Sequence, residues 1–207
     1  MRLIIATKNK NKVKEIRQIL KGLNLRIVSL YDLDRKFRIV ENGRTFKDNA
    51  VKKALVVSKV YKNDLVMGED SGLVVECLGG EPGVYSKRYA GRNANDYKNN
   101  LKVLKKLEGL SKNKRRAYFF CFLALSLGGK IEEIFEGRMD GLIHCEICGD
   151  NGFGYDPIFY LPSYKKTVAQ LHLSLKNRIS HRSKAFRKLK KFLEQKCLEK
   201  CEGFRER

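Results

Sequence analysis

The sequence predicts an α/β domain built on a mixed β-sheet flanked by helices. Three observations carry this reading. Short β-rich apolar runs interleave with stretches whose apolar residues recur at helical spacing, the pattern of strands alternating with helices. The apolar run 117–127 is followed by Gly128-Gly129 and a returning, partly alternating segment 130–139, which predicts a long antiparallel hairpin. An apolar stretch is interrupted by two acids, Gly68-Glu69-Asp70-Ser71-Gly72, with Leu65-Val66-Met67 before and Leu73-Val74-Val75 after, read here as a turn between two strands. A hairpin and such a turn together exclude a wholly parallel sheet.

From the N-terminus, Leu3-Ile4-Ile5-Ala6 reads as a buried strand. The polar loop Thr7-Lys8-Asn9-Lys10-Asn11-Lys12 follows, and Val13, Ile16, Ile19 and Leu20 then continue at helical spacing. Helices are expected at 10–21, 46–61, 95–107 and 180–200. Ala185, Phe186, Leu189, Phe192 and Leu193 give the last of these an apolar stripe opposite a basic, solvated face. With 207 residues and only 3 Pro, the chain has length for one large core and no evident linker, so residues 1–207 are read as a single domain.

Charge and cysteine content narrow the function classes. Lys and Arg number 44 against 23 Asp and Glu, a net charge of +21 that would steer a triphosphate and fits nucleic acid equally well, with weak non-specific nucleic-acid contact expected from it. No apolar segment of about 20 residues is present to span a bilayer, and the N-terminus enters a strand rather than a signal peptide. The expected address is therefore the cytoplasm, with no membrane partner. There the 6 cysteines are not a disulfide framework. Cys145-x-x-Cys148, with His144 beside it, and Cys197-x-x-x-Cys201 have spacings seen at zinc sites, but they are read as independent thiols, with no stoichiometric zinc expected.

Two segments point to phosphate chemistry. A strand, a polar loop and a helix N-terminus place unpaired backbone N–H groups and the positive end of a helix dipole beside lysines. The loop is not a Walker loop, since no G-x-x-x-x-G-K-[ST] occurs. Glu69 and Asp70 are oxygen donors of the type that holds a magnesium ion against a phosphate substrate.

These residues, with Thr45-Phe46-Lys47-Asp48-Asn49-Ala50, the 78–89 segment around Gly79-Gly80-Glu81-Pro82-Gly83, Asn151-Gly152-Phe153-Gly154-Tyr155-Asp156-Pro157 and Lys176-Asn177-Arg178-Ile179-Ser180-His181-Arg182, resemble the inosine triphosphate pyrophosphatase family in order and type, from about Leu3 to Phe192. The resemblance implies an elongated mixed sheet in two lobes with an active-site cleft between them, assembled as a homodimer. It also implies Mg2+-dependent cleavage of ITP, dITP and XTP between the α- and β-phosphates, giving the monophosphate and pyrophosphate.

By the same resemblance Asp70 is the main catalytic carboxylate, either a metal ligand or a proton acceptor from the attacking water. Glu69 and Glu41 are the further metal ligands. At Glu41 the chain departs from the family pattern, because Val40 stands where a first acid is often found. Thr7, Asn9, Lys12, Lys53, Ser71, Lys87 and Arg88 fall to the triphosphate. Phe153 is the stacking aromatic, with Gly154 and Tyr155 in its loop, and Asp156, Lys176, Ser180, His181 and Arg182 match the purine-recognition positions. Donors aimed at O6 would be left unpaired by adenine at a cost of about 1–3 kcal/mol each, whereas exclusion of guanine must depend on the 2-position. Two competing functions remain at this level: a non-enzymatic nucleic-acid binder that does not need Glu69 or Asp70, and a general pyrophosphatase that also accepts the common triphosphates.

Overall fold

A computed structural model describes residues 2–202, with side chains described for 2–196. One seven-stranded sheet organises the chain in the order β2-β1-β3-β4-β5-β6-β7. Strand β1 (Arg2–Ile5) leads through the polar loop into helix α1 (Lys10–Ile19), and β2 (Arg26–Ser29) returns parallel to β1. Helix α2 (Phe46–Ser58) crosses to β3 (Leu65–Val75), which is also parallel to β1. From there the sheet is antiparallel. A 3-10 segment (Gly83–Arg88) and α3 (Asp96–Lys106) precede β4 (Arg116–Leu127), which turns at Gly128-Gly129 into β5 (Lys130–Ile143). Short strands β6 (Phe159–Leu161) and β7 (Lys166–Thr167) finish the sheet, and α4 (Leu173–Ile179) and α5 (His181–Glu202) close the fold.

The α/β class, the hairpin and the four helical regions agree with the sequence reading to within a few residues. Two expectations are corrected. The acidic turn does not exist, since Leu65–Val75 is one continuous strand paired residue by residue with β4 from Val66↔Ser126 to Val75↔Ala117. A partner strand supplies every ladder bond across Gly68-Glu69-Asp70-Ser71-Gly72, so weak local β-propensity is overridden. The predicted helix 180–200 is preceded by a second, short helix. Ser180 ends α4 in an extended conformation, and its Oγ accepts the Ser183 N–H at 3.1 Å, which starts α5 afresh.

The sheet is covered on both faces. On one, Cys121, Leu123 and Leu125 of β4 pack with Ile16 and Leu20 of α1 and with Phe186, Leu189 and Leu193 of α5, fulfilling the apolar stripe read in the C-terminal segment. On the other, Ala50 and Ala54 of α2 pack on Ala124. A Thr45–Asp48 capping box starts α2. Both helices lie in backbone contact with a strand because a glycine stands at the crossing. A Cβ at Gly68 would meet Ala50 O at 2.0 Å, and one at Gly137 would meet His181 O at 2.1 Å. Among the described residues no helix is long and apolar enough to cross a membrane.

Candidate active site

The loop after β1 is fixed by its own side chains. Thr7 Oγ1 accepts the Asn9 N–H at 3.2 Å, and Asn9 caps α1 by accepting the Lys12 N–H at 3.1 Å. Lys12, in the first turn, reaches across to the Glu69 carboxylate at 2.7 Å. Thr7, Asn9 and Lys12 all face one cavity of about 660 Å³.

Strand alternation sends Glu69 and Asp70 to opposite faces of β3, so they do not form the side-by-side acidic pair pictured from sequence. Asp70 lies on the α2 face. Its Oδ2 accepts from Asn49 Nδ2 at 3.1 Å and its Oδ1 from Lys53 Nζ at 2.9 Å. The same ammonium lies 2.8 Å from Glu41 Oε2 and donates to the Glu69 carbonyl at 3.1 Å. Burial raises the pKa of Asp70, opposed by Lys53 and Lys12. Three oxygens from three residues thus converge on one cationic centre, a donor set that fits a hard divalent ion, with Asp70 and Glu41 supplying carboxylates.

Glu69 lies on the α5 face and is fully buried. Burial alone would raise its pKa, but Lys12 and Arg182 outweigh burial and hold the carboxyl far below its usual range. The Cys121 thiol donates to it at 3.7 Å. Among the described residues it belongs to an ion network rather than to the wall of the cavity.

That network runs into the second half of the site. Arg182 Nε lies 3.3 Å from Glu69, its Nη1 2.7 Å from Glu15, and its Nη2 donates to Ser71 Oγ at 3.1 Å. Glu15 also holds Lys176 at 2.8 Å, and Lys176 holds Asp156 at 2.7 Å. Burial again opposes the charge of Glu15, yet Arg182 and Lys176 leave its pKa lowered. Asp156 goes the other way, since burial outweighs Lys176 and raises its carboxyl. Its Oδ2 accepts the Phe153 N–H at 2.9 Å, so this acid shapes the loop that presents Phe153. The Phe153 ring lies 4.7 Å from Lys176 Nζ and 5.0 Å from Arg182 Cζ.

His181 stacks on Phe119 with ring centroids 4.8 Å apart and 15° between planes. Burial, reinforced by Arg182, pushes its pKa well below the ordinary 6.5, which leaves a neutral imidazole. Among the described residues its buried Nδ1 has no hydrogen-bond partner. Tyr155 is held by a hydrogen bond from its OH to Ser86 O at 2.8 Å, and Gly154 N–H donates to Asp96 at 2.7 Å. Lys87 and Arg88 line the cavity opposite, with Arg88 packed over Tyr85 at 5.0 Å.

The structure therefore brings Thr7, Asn9, Lys12, Glu41, Lys53, Asp70, Ser71, Lys87, Arg88, Phe153, Gly154, Tyr155, Asp156, His181 and Arg182 around one cavity. Glu69 and Lys176 stand behind it, and Ser180 caps α5. Sequence reasoning missed Glu15, Asn49 and Phe119. Glu15 left one signal, a lone acid in a basic helix three residues after Lys12. Asn49 lay inside a motif already singled out, whereas Phe119 is one aromatic among several in β4.

Comparison with known proteins reaches nearly the whole chain. The profile of the Ham1 family matches residues 3–192. The chain belongs to the Ham1 family. A member from Caldanaerobacter subterraneus subsp. tengcongensis, named dITP/XTP pyrophosphatase, is 47% identical over 193 residues, covering 93% of this chain and 96% of the relative. A dITP/XTP pyrophosphatase from Listeria monocytogenes serotype 4b is 45% identical over 192 residues, covering 93% and 94%. Among solved Ham1 structures, that from Coxiella burnetii superposes with a TM-score of 0.86 at 37% identity, covering 94% of this chain and 99% of that one. The Staphylococcus aureus Ham1 protein gives 0.85 at 39%, covering 95% and 100%.

Proposed function

We infer that this Ham1-family chain is a nucleoside-triphosphate pyrophosphatase that hydrolyses the noncanonical purine triphosphates ITP, dITP and XTP to the monophosphate and pyrophosphate. The observation that carries the reading is a single cavity whose one end is lined by lysines and the Asp70–Glu41 oxygen set, and whose other end holds Phe153 and an unpartnered His181. Relatives that share 43–47% of residues across almost all of their length carry the name of this activity.

In the reaction the loop Thr7–Asn9, Lys12, Lys87 and Arg88 receive the triphosphate, and Lys53 and Ser71 flank it from α2 and β3. These cations offset charge that builds on the departing pyrophosphate. Asp70, its pKa raised, takes the proton of the attacking water at its carboxylate while Asn49 fixes its orientation. Magnesium held by Asp70 and Glu41, with Glu69 supporting through its carbonyl, would supply further charge neutralisation at the phosphate oxygens. Lys53, 2.8 Å from the exposed Glu41 carboxylate, would exchange that partner for a phosphate oxygen. Phe153 stacks on the purine, and the neutral His181 offers a hydrogen bond to its edge beside Arg182. Asp156, Lys176 and Glu15 hold those groups in place, and Ser180 sets the start of the helix that carries them.

The finer readings follow the same line: one domain over residues 1–207, a homodimer, a cytoplasmic address, and nucleic-acid contact that is weak because it rests on net charge alone. The deciding experiment is Mg2+-dependent release of pyrophosphate from ITP, dITP and XTP against ATP and GTP at equal concentration. Fast release from the first three alone supports the reading. Equal rates on all five would make this a general pyrophosphatase, orthophosphate release would place cleavage at another bond, and no turnover would favour the binding-protein alternative.

A further inference from the structure

Far along the sheet from the phosphate loop, the segment after β5 gathers three groups of metal-ligating type. The His144 ring nitrogen, a Glu146 carboxylate oxygen and the Cys148 sulfur all lie within 4.8 Å of one another, the one such group of His, Cys, Asp and Glu among the described residues. His144 Nδ1 and Cys148 Sγ are 3.8 Å apart. A tetrahedral zinc ion with ordinary Zn–N and Zn–S bonds places its nitrogen and sulfur ligands about 3.6 Å apart, so little movement is needed to admit one. His144 Nδ1 also lies 3.2 Å from the Glu146 carbonyl oxygen and 3.4 Å from the Glu146 N–H, so its lone pair faces a metal in the tautomer that carries the proton on Nε2.

The segment is anchored at both ends rather than loose. His144 N–H donates to Ile158 O at 2.8 Å, and its carbonyl accepts from Arg115 Nη2 at 2.7 Å. Cys148 N–H donates to Pro157 O at 2.9 Å, and its carbonyl accepts from Thr167 Oγ1 at 2.6 Å. A five-residue arc pinned at His144 and Cys148 is pre-organised, which lowers the ordering cost of binding. The His144 and Cys148 side chains are half-buried and Glu146 is exposed, leaving an open approach for an ion.

We propose that His144, Glu146 and Cys148 form a second metal site for a zinc-class divalent ion, with a fourth position taken by water or by the exposed Cys145 thiol. Nitrogen and sulfur donors select a borderline or soft ion and disfavour magnesium. Binding converts the Cys148 thiol to thiolate and releases its proton to the buffer. Such a site departs from the sequence expectation of independent thiols without zinc, and the convergence it rests on is between a histidine and one cysteine rather than between the two cysteines. Its reach extends to the nucleotide cavity, because Gly149 to Gly152 join Cys148 directly to Phe153, and Asn151 N–H is tied to Ala169 O at 3.0 Å.

The test is zinc titration against a chromophoric chelator, using the full chain with Cys197 and Cys201 replaced by serine so that those thiols contribute nothing. One zinc per chain is expected. Cys148→Ser and His144→Gln should each weaken it about tenfold or more, and Cys77→Ser should leave it unchanged. Cobalt in place of zinc should show a thiolate-to-metal charge-transfer band that vanishes in Cys148→Ser. Circular dichroism checks folding of each variant. If Cys148→Ser does not fold, the cobalt band and the His144→Gln titration decide. No zinc retained against the chelator, or retention unaffected by both ligand substitutions, overturns the site.

Discussion

The ion networks at the two ends of the nucleotide cavity are buried to similar depth and differ in one member: the phosphate end includes an exposed carboxylate, and the base end does not. At the phosphate end Lys53 bridges Asp70 and Glu41, and the Glu41 side chain is 42% exposed, so its partner can be exchanged for an incoming cation. At the base end Glu15, Lys176, Asp156 and Arg182 are sealed in a chain of ion pairs whose side chains are all below 10% exposed. Ions near water are loosely held and suited to trading partners during a reaction. Ions paired out of water are costly to separate and suited to fixing geometry.

The contrast can be broken most sharply at Asp70. Asp70→Asn keeps the shape and, through its amide oxygen, the Asn49 contact, but turns its NH2 toward Lys53 and removes the proton acceptor; turnover of ITP should fall by about 10²–10⁴-fold, with folding checked by the urea midpoint. Near-normal turnover would remove Asp70 from the chemistry. At the sealed end the same kind of change should strike stability instead. Glu15→Gln leaves Lys176 and Arg182 short of a buried counter-charge, and a loss of about 3–5 kcal/mol is expected in urea denaturation. A loss under about 1 kcal/mol would mean that the network is solvated and the comparison false.

Smaller effects sharpen the division. Phe153→Ala should weaken nucleotide binding by about 1–3 kcal/mol, read as a raised KM for ITP with kcat less affected, if the ring stacks on the base as proposed. The buried, neutral His181 gives a pH signature. Unfolded chain takes up a proton near pH 6.5 and the folded chain does not, so native stability falls as pH drops below 6.5. Relative to His181→Asn, the wild-type chain should lose up to about 1.4 kcal/mol per pH unit in that range. Glu69 works in the opposite sense to a raised group. With its folded pKa depressed, its contribution is present above the ordinary carboxyl range near pH 4.5 and is lost progressively as pH falls below it, so Glu69→Gln should be less stable at neutral pH and should show a shallower loss of stability in acid than the wild-type chain.

Much of this was legible in the sequence. The loop after β1 and the Phe153 loop each carry a local signature, and both lie at the cavity. The course of β3 was not legible, because its continuity through two glycines and two acids depends on the neighbouring strand, which is remote in sequence. For the same reason the two acids were pictured on one side, when a strand must separate them. Glu15 escaped because a charge on a helix is ordinarily solvated, and only the arrival of Lys176 and Arg182, more than 150 residues later, makes it part of the interior.

Gly68 and Gly137 deserve a mechanical reading. Each brings a helix down onto the sheet until backbone rests on backbone, and each of these helices carries site residues within a turn of the crossing: Asn49 and Lys53 on α2, His181 and Arg182 on α5. The two crossings act as machined datum faces, from which the positions of Asn49, Lys53, His181 and Arg182 are gauged. A methyl group inserted at either would lift its helix as a rigid lever, so that one added carbon would put several functional atoms out of alignment together.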